Sequence, residues 1–313
     1  MSTVACQNLQ RRFGRDTLAV AGLDLEVEAG EIFGFIGPDG AGKTTTLRML
    51  AAVLKPTSGK AFVAGYDVVR YPERIRHQVG YMAQHFSLYG DLSVLENINF
   101  FADIFGVYGH ERRQRIERLL HFARLEAFTS RDAGNLSGGM KKKLALACAL
   151  IHRPNVLLLD EPTNGVDPVS RREFWDILSE LHLEGVTIVV STPYMDEAER
   201  CSRVALMHQG LVIRQGTPVE LRSLVPGQML AVYTTDLHGA EAALRAFPGY
   251  MEHQVYGDRL HVFVPDAAAA RDDLPSYLTS QNVRFSQILL DTPRLEEAFI
   301  HVMSTSEWLK VER

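Results

Sequence analysis

An α/β fold built on a largely parallel sheet is predicted by three observations. Short apolar runs of strand length recur at 31–36, 79–83, 155–160, 186–191 and 203–208. The first of these is apolar enough to be buried on both faces, as parallel sheets require. Segments with helical spacing lie between the runs, at 43–54, 93–107, 111–125, 139–151 and 170–184. Finally, the glycine-rich turn Gly37-Pro38-Asp39-Gly40-Ala41-Gly42 joins the run at 31–36 directly to a helix that opens Lys43-Thr44-Thr45.

In chain order, Thr3–Leu9 and Leu23–Val27 alternate like strands before the buried run Glu31–Ile36. Lys43–Leu54 follows as a helix with Leu47, Leu50 and Leu54 on one face, stopped by the turn residues Lys55-Pro56-Thr57-Ser58-Gly59. Strands are expected near Lys60–Ala64 and Val79–Ala83. From 86 to 151 the pattern is helical, a subdomain hung on the sheet. Trp175 and Cys148 read as core. Pro218, Pro226 and Gly227 mark a boundary, so two domains are expected, 1–222 and 223–313. The second reads strand 228–234, helix 239–246, strands 252–256 and 260–264 around Gly257-Asp258, helix 267–280 and strand 283–290, then a helix at 293–303. That β-α-β-β-α-β order is that of a small ferredoxin-like α+β domain.

Charge and cysteine content narrow the function classes. The chain of 313 residues has a net charge of −5. Residues 1–222 hold 26 basic and 26 acidic side chains, and 223–313 hold 7 and 12, so the tail carries the whole imbalance. A nucleic-acid-binding face needs a basic surplus, which argues against nucleic acid as a partner. Cys6, Cys148 and Cys201 fit neither a zinc spacing nor a disulfide framework and read as reduced buried thiols of a cytosolic protein. No segment has signal-peptide form or membrane-spanning length, so any membrane role is expected to come through a separate chain.

Gly37-Pro38-Asp39-Gly40-Ala41-Gly42-Lys43-Thr44 fits the G-x-x-x-x-G-K-[ST] phosphate loop. Glycines let backbone N–H groups approach a polyphosphate closely. Lys43 is suited to the β- and γ-phosphates, and the Thr44 hydroxyl to Mg²⁺. Val156-Leu157-Leu158-Leu159-Asp160-Glu161 reads as a buried strand delivering two carboxylates to the same sheet edge. Asp160 is suited to the Mg²⁺ shell, and Glu161 to orienting or deprotonating an attacking water. Lys141-Lys142-Lys143 reads as a solvated turn of the helix at 139–151.

Between the phosphate loop and the carboxylates stands Leu136-Ser137-Gly138-Gly139-Met140, opening a helix. With this segment in that order, residues 1–222 resemble the nucleotide-binding subunit of an ABC transporter. The resemblance implies that Gly37 through Thr45 bind ATP with Mg²⁺. It further implies that Phe13 lies against adenine, and that Gln84 touches Mg²⁺ and the water while linking to the helical subdomain. Ser137, Gly138 and Gly139 would contact the γ-phosphate held by a second cassette, a task suited to a helix N-terminus. Asp167, in Asn164-Gly165-Val166-Asp167-Pro168, matches the loop that crosses the dimer seam. The run Tyr194–Arg200 and the tail segment Pro293–Phe299 resemble export ATPases that serve ABC-2-type permeases. A permease chain and a second cassette, in a homodimer or heterodimer, are then the expected partners. The expected location is the inner face of the cell membrane, held there through the permease. Gln84 and 86–105, with Phe86, Leu88 and Tyr89, form the face expected to dock it.

One residue departs from the family pattern. In Ser191-Thr192-Pro193-Tyr194, family members place a histidine where this chain has Pro193, which has neither a side-chain donor nor an N–H. Two readings stay open on this point: an energy-coupling exporter ATPase with a slow site of its own, or a regulatory cassette that binds ATP and lends its signature to a partner. Soluble cassettes that act on ribosomes or DNA resemble double-cassette or coiled-coil chains, a poor fit to 313 residues.

Overall fold

The structure, a computed structural model, describes residues 2–85 and 88–305. It divides into two compact units, Met1–Thr217 and Pro218–Arg313.

In the first unit, β1 (Ser2–Phe13) and β2 (Thr17–Glu28) form an antiparallel hairpin, and β3 (Ile32–Ile36) follows. Next come α1 (Lys43–Leu50), β4 (Ser58–Val63), β5 (Tyr66–Asp67), α2 (Pro72–Gln78) and β6 (Val79–Met82). The helical insert comprises α3 (Val94–Ile104), α4 (Gly109–Ala123) and α5 (Gly138–Leu150). The chain then alternates through β7 (Val156–Asp160), α6 (Pro168–Leu183), β8 (Thr187–Thr192), α7 (Met195–Ala198), β9 (Arg203–His208) and β10 (Leu211–Gly216).

Two sheets result. One is antiparallel, in the order β2-β1-β4-β5; the other runs β10-β9-β3-β8-β7-β6 and is parallel except at its β10 edge. Because β3 sits between β8 and β9, all five of its residues are buried, and so are those of β7. Two hydrophobic clusters hold the unit. Phe33, Phe35, Leu47 and Leu50 lie in one, and Leu144, Leu159, Phe174 and Trp175 in the other, each large side chain contributing about 1.5–3 kcal/mol. Cys148 is core, as expected. All three thiols are buried and free, and burial pushes that of Cys6 up to about 12.

Local chemistry sets the element ends. A capping box between Ser93 and Glu96 starts α3, Ser137 caps α5, and Asp167 caps α6 with Pro168 behind it. Helix α1 is shorter than its sequence pattern: Ala52 takes the left-handed φ of 54°, which ends the helix and leaves Leu54 outside it. Strand β10 and helix α2 had no counterpart in the sequence reading.

In the second unit, α8 (Pro218–Arg222) precedes β11 (Gln228–Tyr233), α9 (Leu237–Leu244), β12 (Glu252–Tyr256), β13 (Arg259–Val264), α10 (Ala267–Ser280), β14 (Gln287–Asp291) and α11 (Leu295–Ser304). The antiparallel sheet order β12-β13-β11-β14 is ferredoxin-like. Expected strand residues 283–286 lie outside β14, because the Val283 N–H closes α10 by donating to Leu278 and its side chain is buried in the helix-side core.

Candidate active site

The loop after β3 is shaped by its glycines. A side chain on Gly37 would place its Cβ 2.1 Å from the Met207 carbonyl, and Gly42, at φ 104°, would meet the Ala19 carbonyl at 2.5 Å. Gly42 caps α1, so the first-turn N–H groups of that helix open into the loop. Lys43, only 4% exposed, folds back over it and donates to the carbonyls of Gly37 at 2.7 Å and Pro38 at 3.1 Å. Its ammonium also lies 3.6 Å from Glu161 Oε1. Pro38, Asp39 and Gly40 are exposed at the rim, Ala41 is buried below, and Thr45 occupies the first turn of α1.

Asp160 arrives from the end of β7, opposite Ser191 in the parallel register with β8. Its Oδ1 accepts from Thr44 Oγ1 and Ser191 Oγ, both at 2.9 Å, while Oδ2 is buried with no hydrogen-bond partner. Burial raises the carboxyl above its ordinary range, and the Ser191 and Thr44 hydroxyls partly offset this. A buried carboxylate oxygen without a donor, beside a hydroxyl, has the oxygen chemistry of a magnesium ligand set. Among the described residues no group of three or more His, Cys, Asp or Glu gathers as a metal cluster.

Glu161 follows in the left-handed region at φ 47°, with its N–H donated to Ser191 Oγ at 3.0 Å. Its Oε2 accepts from Gln84 Nε2 at 2.7 Å and from Asn164 Nδ2 at 3.0 Å. Lys43, Thr44, Gln84, Asp160 and Glu161 therefore form one connected polar group at the C-terminal edge of the parallel sheet.

The lysine triplet is not the solvated turn its composition suggests. Lys143 is 7% exposed and paired with Glu173, and Lys142 Nζ donates to the backbone carbonyls of Gln84 at 2.9 Å and Glu161 at 3.4 Å. Burial lowers the Lys142 pKa, a loss that the charges of Glu161 and Asp160 partly restore. Ser191, Asn164 and Lys142 are the members of the site that sequence reasoning missed. A second bracket lies alongside: buried Glu197 accepts from Thr163 Oγ1 at 2.5 Å and Thr192 Oγ1 at 2.6 Å, holding the turn at Pro193 against the loop after β7.

The remaining sequence-selected residues stand apart from this group. Ser137 and Gly138 are exposed at the start of α5, where Ser137 Oγ accepts from the Met140 N–H at 3.3 Å. Gly139 is buried where a Cβ would come 2.6 Å from Ser170. Asp167 is exposed and accepts from the N–H groups of Ser170 and Val169, which hold its carboxyl below the usual range. Phe13 is half-exposed at the end of β1, with the Arg11 guanidinium 4.5 Å from its ring centre.

A buried strand feeding a glycine loop and lysine-led helix, faced by paired carboxylates from a neighbouring strand, defines a P-loop nucleotide-binding protein. Residues 20–164 match the family model described as ABC transporter. The chain is 42% identical over 310 residues to "Probable multidrug ABC transporter ATP-binding protein YbhF" of Escherichia coli K12, covering 96% of this chain and 52% of that protein. It is 39% identical to "Nod factor export ATP-binding protein I" of Burkholderia lata, over 85% of this chain and 87% of the relative. Identity is 34% with "Daunorubicin resistance ATP-binding protein DrrA2" of Streptomyces coeruleorubidus, over 96% and 94%. The chain thus belongs to the family of ABC transporter ATP-binding proteins, and it spans about half the length of the YbhF relative.

Among solved structures it resembles cbiO1 of Clostridium perfringens, part of the ABC transporter complex cbiONQ. The TM-score is 0.65 and the identity 30%, over 71% of this chain and 91% of that one. It also resembles the dimeric post-hydrolysis ATP-binding cassette MJ0796 bound to ADP and Pi, with a TM-score of 0.63 and 28% identity over 68% and 98%.

Proposed function

We propose that this chain is the ATP-binding, energy-coupling subunit of an ABC-type exporter, in which ATP closes a pair of cassettes and hydrolysis resets them. One observation carries the reading: Glu161 meets both Lys43 and Gln84, and the adjacent Asp160 meets Thr44, so the loop lysine and threonine each face one of the paired carboxylates. Lys43 is placed to exchange its contact with Glu161 for a γ-phosphate oxygen. Glu161, steadied by Gln84 and Asn164, accepts a proton from the attacking water or orients it. Thr44 and Asp160, with Gln84 nearby, would hold Mg²⁺, which when bound supplies charge neutralisation at the phosphate oxygens. Phe13 serves adenine. Ser137, Gly138 and Asp167, which are exposed, and Gly139 beside them face a second cassette, a reading supported by the dimeric state of the solved cassette MJ0796.

Export is the direction suggested by the relatives, whose names refer to multidrug transport, Nod factor export and daunorubicin resistance. An ABC-2-type permease is the proposed membrane partner, and it would hold the chain at the inner face of the cell membrane. Among the described residues no helix is long and apolar enough to cross a membrane. The proposed docking place is a cavity of about 380 Å³ lined by Leu88, Phe101, Ile104, Phe105 and His152. It sits beside the loop of Gln84, so closure at the nucleotide reaches it directly. Phe86, from the same expected face, lies outside the described residues.

Pro193 makes the chain's own site slow. The exporter relatives favour an energy-coupling subunit over a purely regulatory cassette. Phosphate release from MgATP by the purified chain, alone and with its co-purified partners, tests the proposal; absence of release in both preparations would overturn it.

A further inference from the structure

We infer that Lys142 is a positioning residue: it fastens the Gln84 loop and the Glu161 turn to α5, the helix whose first turn is Ser137-Gly138-Gly139. The inference rests on the proposed ATPase reading for its consequence, though not for its geometry.

Lys142 Nζ donates to two backbone carbonyls, of Gln84 at 2.9 Å and Glu161 at 3.4 Å. The side chains of those same residues bond each other at 2.7 Å. One ammonium therefore closes a ring around the pair that the reaction uses, gripping each residue by its backbone while their side chains meet. Glu161 has particular need of such a grip. Its φ of 47° lies in the left-handed region, an unfavourable conformation for a residue with a side chain. On one side its N–H is held by Ser191 Oγ at 3.0 Å and by the Ser191 carbonyl at 3.1 Å. On the other side its C=O accepts from the Asn164 N–H at 3.2 Å, a bond inside the same turn, and from Lys142 at 3.4 Å, which ties that turn to α5. Without Lys142 the carbonyl keeps the bond from Asn164, but the turn loses this tie to α5 and the carboxylate is freer to swing off Gln84.

The location on α5 gives the grip its consequence. Lys142 lies about one helical turn from Gly138 and Gly139, so a rotation of α5 moves the signature and the Gln84–Glu161 pair together. In a dimer of cassettes the signature serves the opposite site, whereas Gln84 and Glu161 serve their own. Lys142 then links the two sites through a single side chain. Its partial burial fits the role, because a cation withdrawn from water is retained where carboxylates oppose the loss.

The test uses the full chain, with Lys142→Met to keep the stem and remove the donors, and Lys142→Arg to restore donors. For Lys142→Met, kcat is expected to fall by about tenfold or more while ATP affinity, measured by titration, stays within about twofold. Amide hydrogen exchange should quicken in peptides covering 80–85 and 161–166 and stay unchanged in β3. Lys142→Arg should recover both readouts. Wild-type exchange in both peptides of Lys142→Met, or faster exchange throughout the first unit, would overturn the assignment. A wild-type chain that hydrolyses ATP beside a Met variant that matches it would refute Lys142 and spare the functional reading. A wild-type chain inert to ATP would refute the functional reading, and the exchange data alone would then decide Lys142.

Discussion

Asp160 and Ser191 stand opposite each other on neighbouring parallel strands, and the serine hydroxyl donates to Oδ1 at 2.9 Å while Oδ2 stays buried without a partner. This edge of the sheet is thus built with a carboxylate that the protein alone satisfies on one side only. Burial raises its pKa above the ordinary 3.8. A raised folded value means that the contribution to stability is complete below the unfolded pKa and is lost as pH rises through the folded one, so at neutral pH the ionised group is a net cost.

Asp160→Asn should therefore raise the melting temperature of the nucleotide-free protein at pH 7. About 1 kcal/mol is expected, or roughly 2–4 °C for a unit of this size. The advantage should shrink as pH falls toward 4. Mg²⁺ with ATP should stabilise the wild type and not the variant. A variant equally destabilised at pH 7 and pH 4 would show that Oδ2 is not a strained charge.

Glu161→Gln should keep nucleotide affinity and lose about 10²–10⁴ in turnover, the range for a positioned proton acceptor. Phosphate release paired with equilibrium binding measures both. Equal loss of binding and turnover would place Glu161 in affinity rather than in chemistry.

Pro193→His should raise hydrolysis by the isolated chain, since one missing transition-state donor costs about 10²–10³ in rate. The turn is prepared for it: Thr192 ends β8, and its hydroxyl both donates to Glu197 and accepts from the Tyr194 N–H at 3.0 Å. A wild-type homodimer should be a poor ATPase, and a mixed dimer with a histidine-bearing cassette a better one. Ordinary wild-type turnover, unaltered by Pro193→His, would mean that another group has taken the role.

A photo-cross-linker at Tyr89 or Ile104, exposed by 50% and 57%, should label the permease in the native complex. Labelling found only through residues 223–313 would move the docking surface to the second unit.

Continuous apolar runs made β3 and β7 legible, because a strand buried on both faces has no polar residue to blur its limits. Strand β10 escaped because, as an edge strand carrying Arg214 and Gln215, it has no such pattern. Within the site, Lys43 and Thr44 declare themselves by spacing along the phosphate loop, and Asp160 and Glu161 by their place at the end of one apolar run. Ser191 and Asn164 do not, since their place follows from register and from a turn. Ser191 could have been found once β7 and β8 were set side by side in parallel. Lys142 was hidden by its neighbours: three consecutive lysines look solvated, and only the helix phase and the groups they meet tell that Lys142 and Lys143 turn inward.

ATP titration of the wild type and of Lys43→Ala, with Mg²⁺ present and melting curves recorded beside it, tests the central claim most directly. The lysine supplies a charge-assisted contact of about 1.5–3 kcal/mol, so affinity should fall about tenfold or more while the protein stays folded. A folded Lys43→Ala variant that binds MgATP as tightly as the wild type would contradict the placement of the nucleotide on this loop.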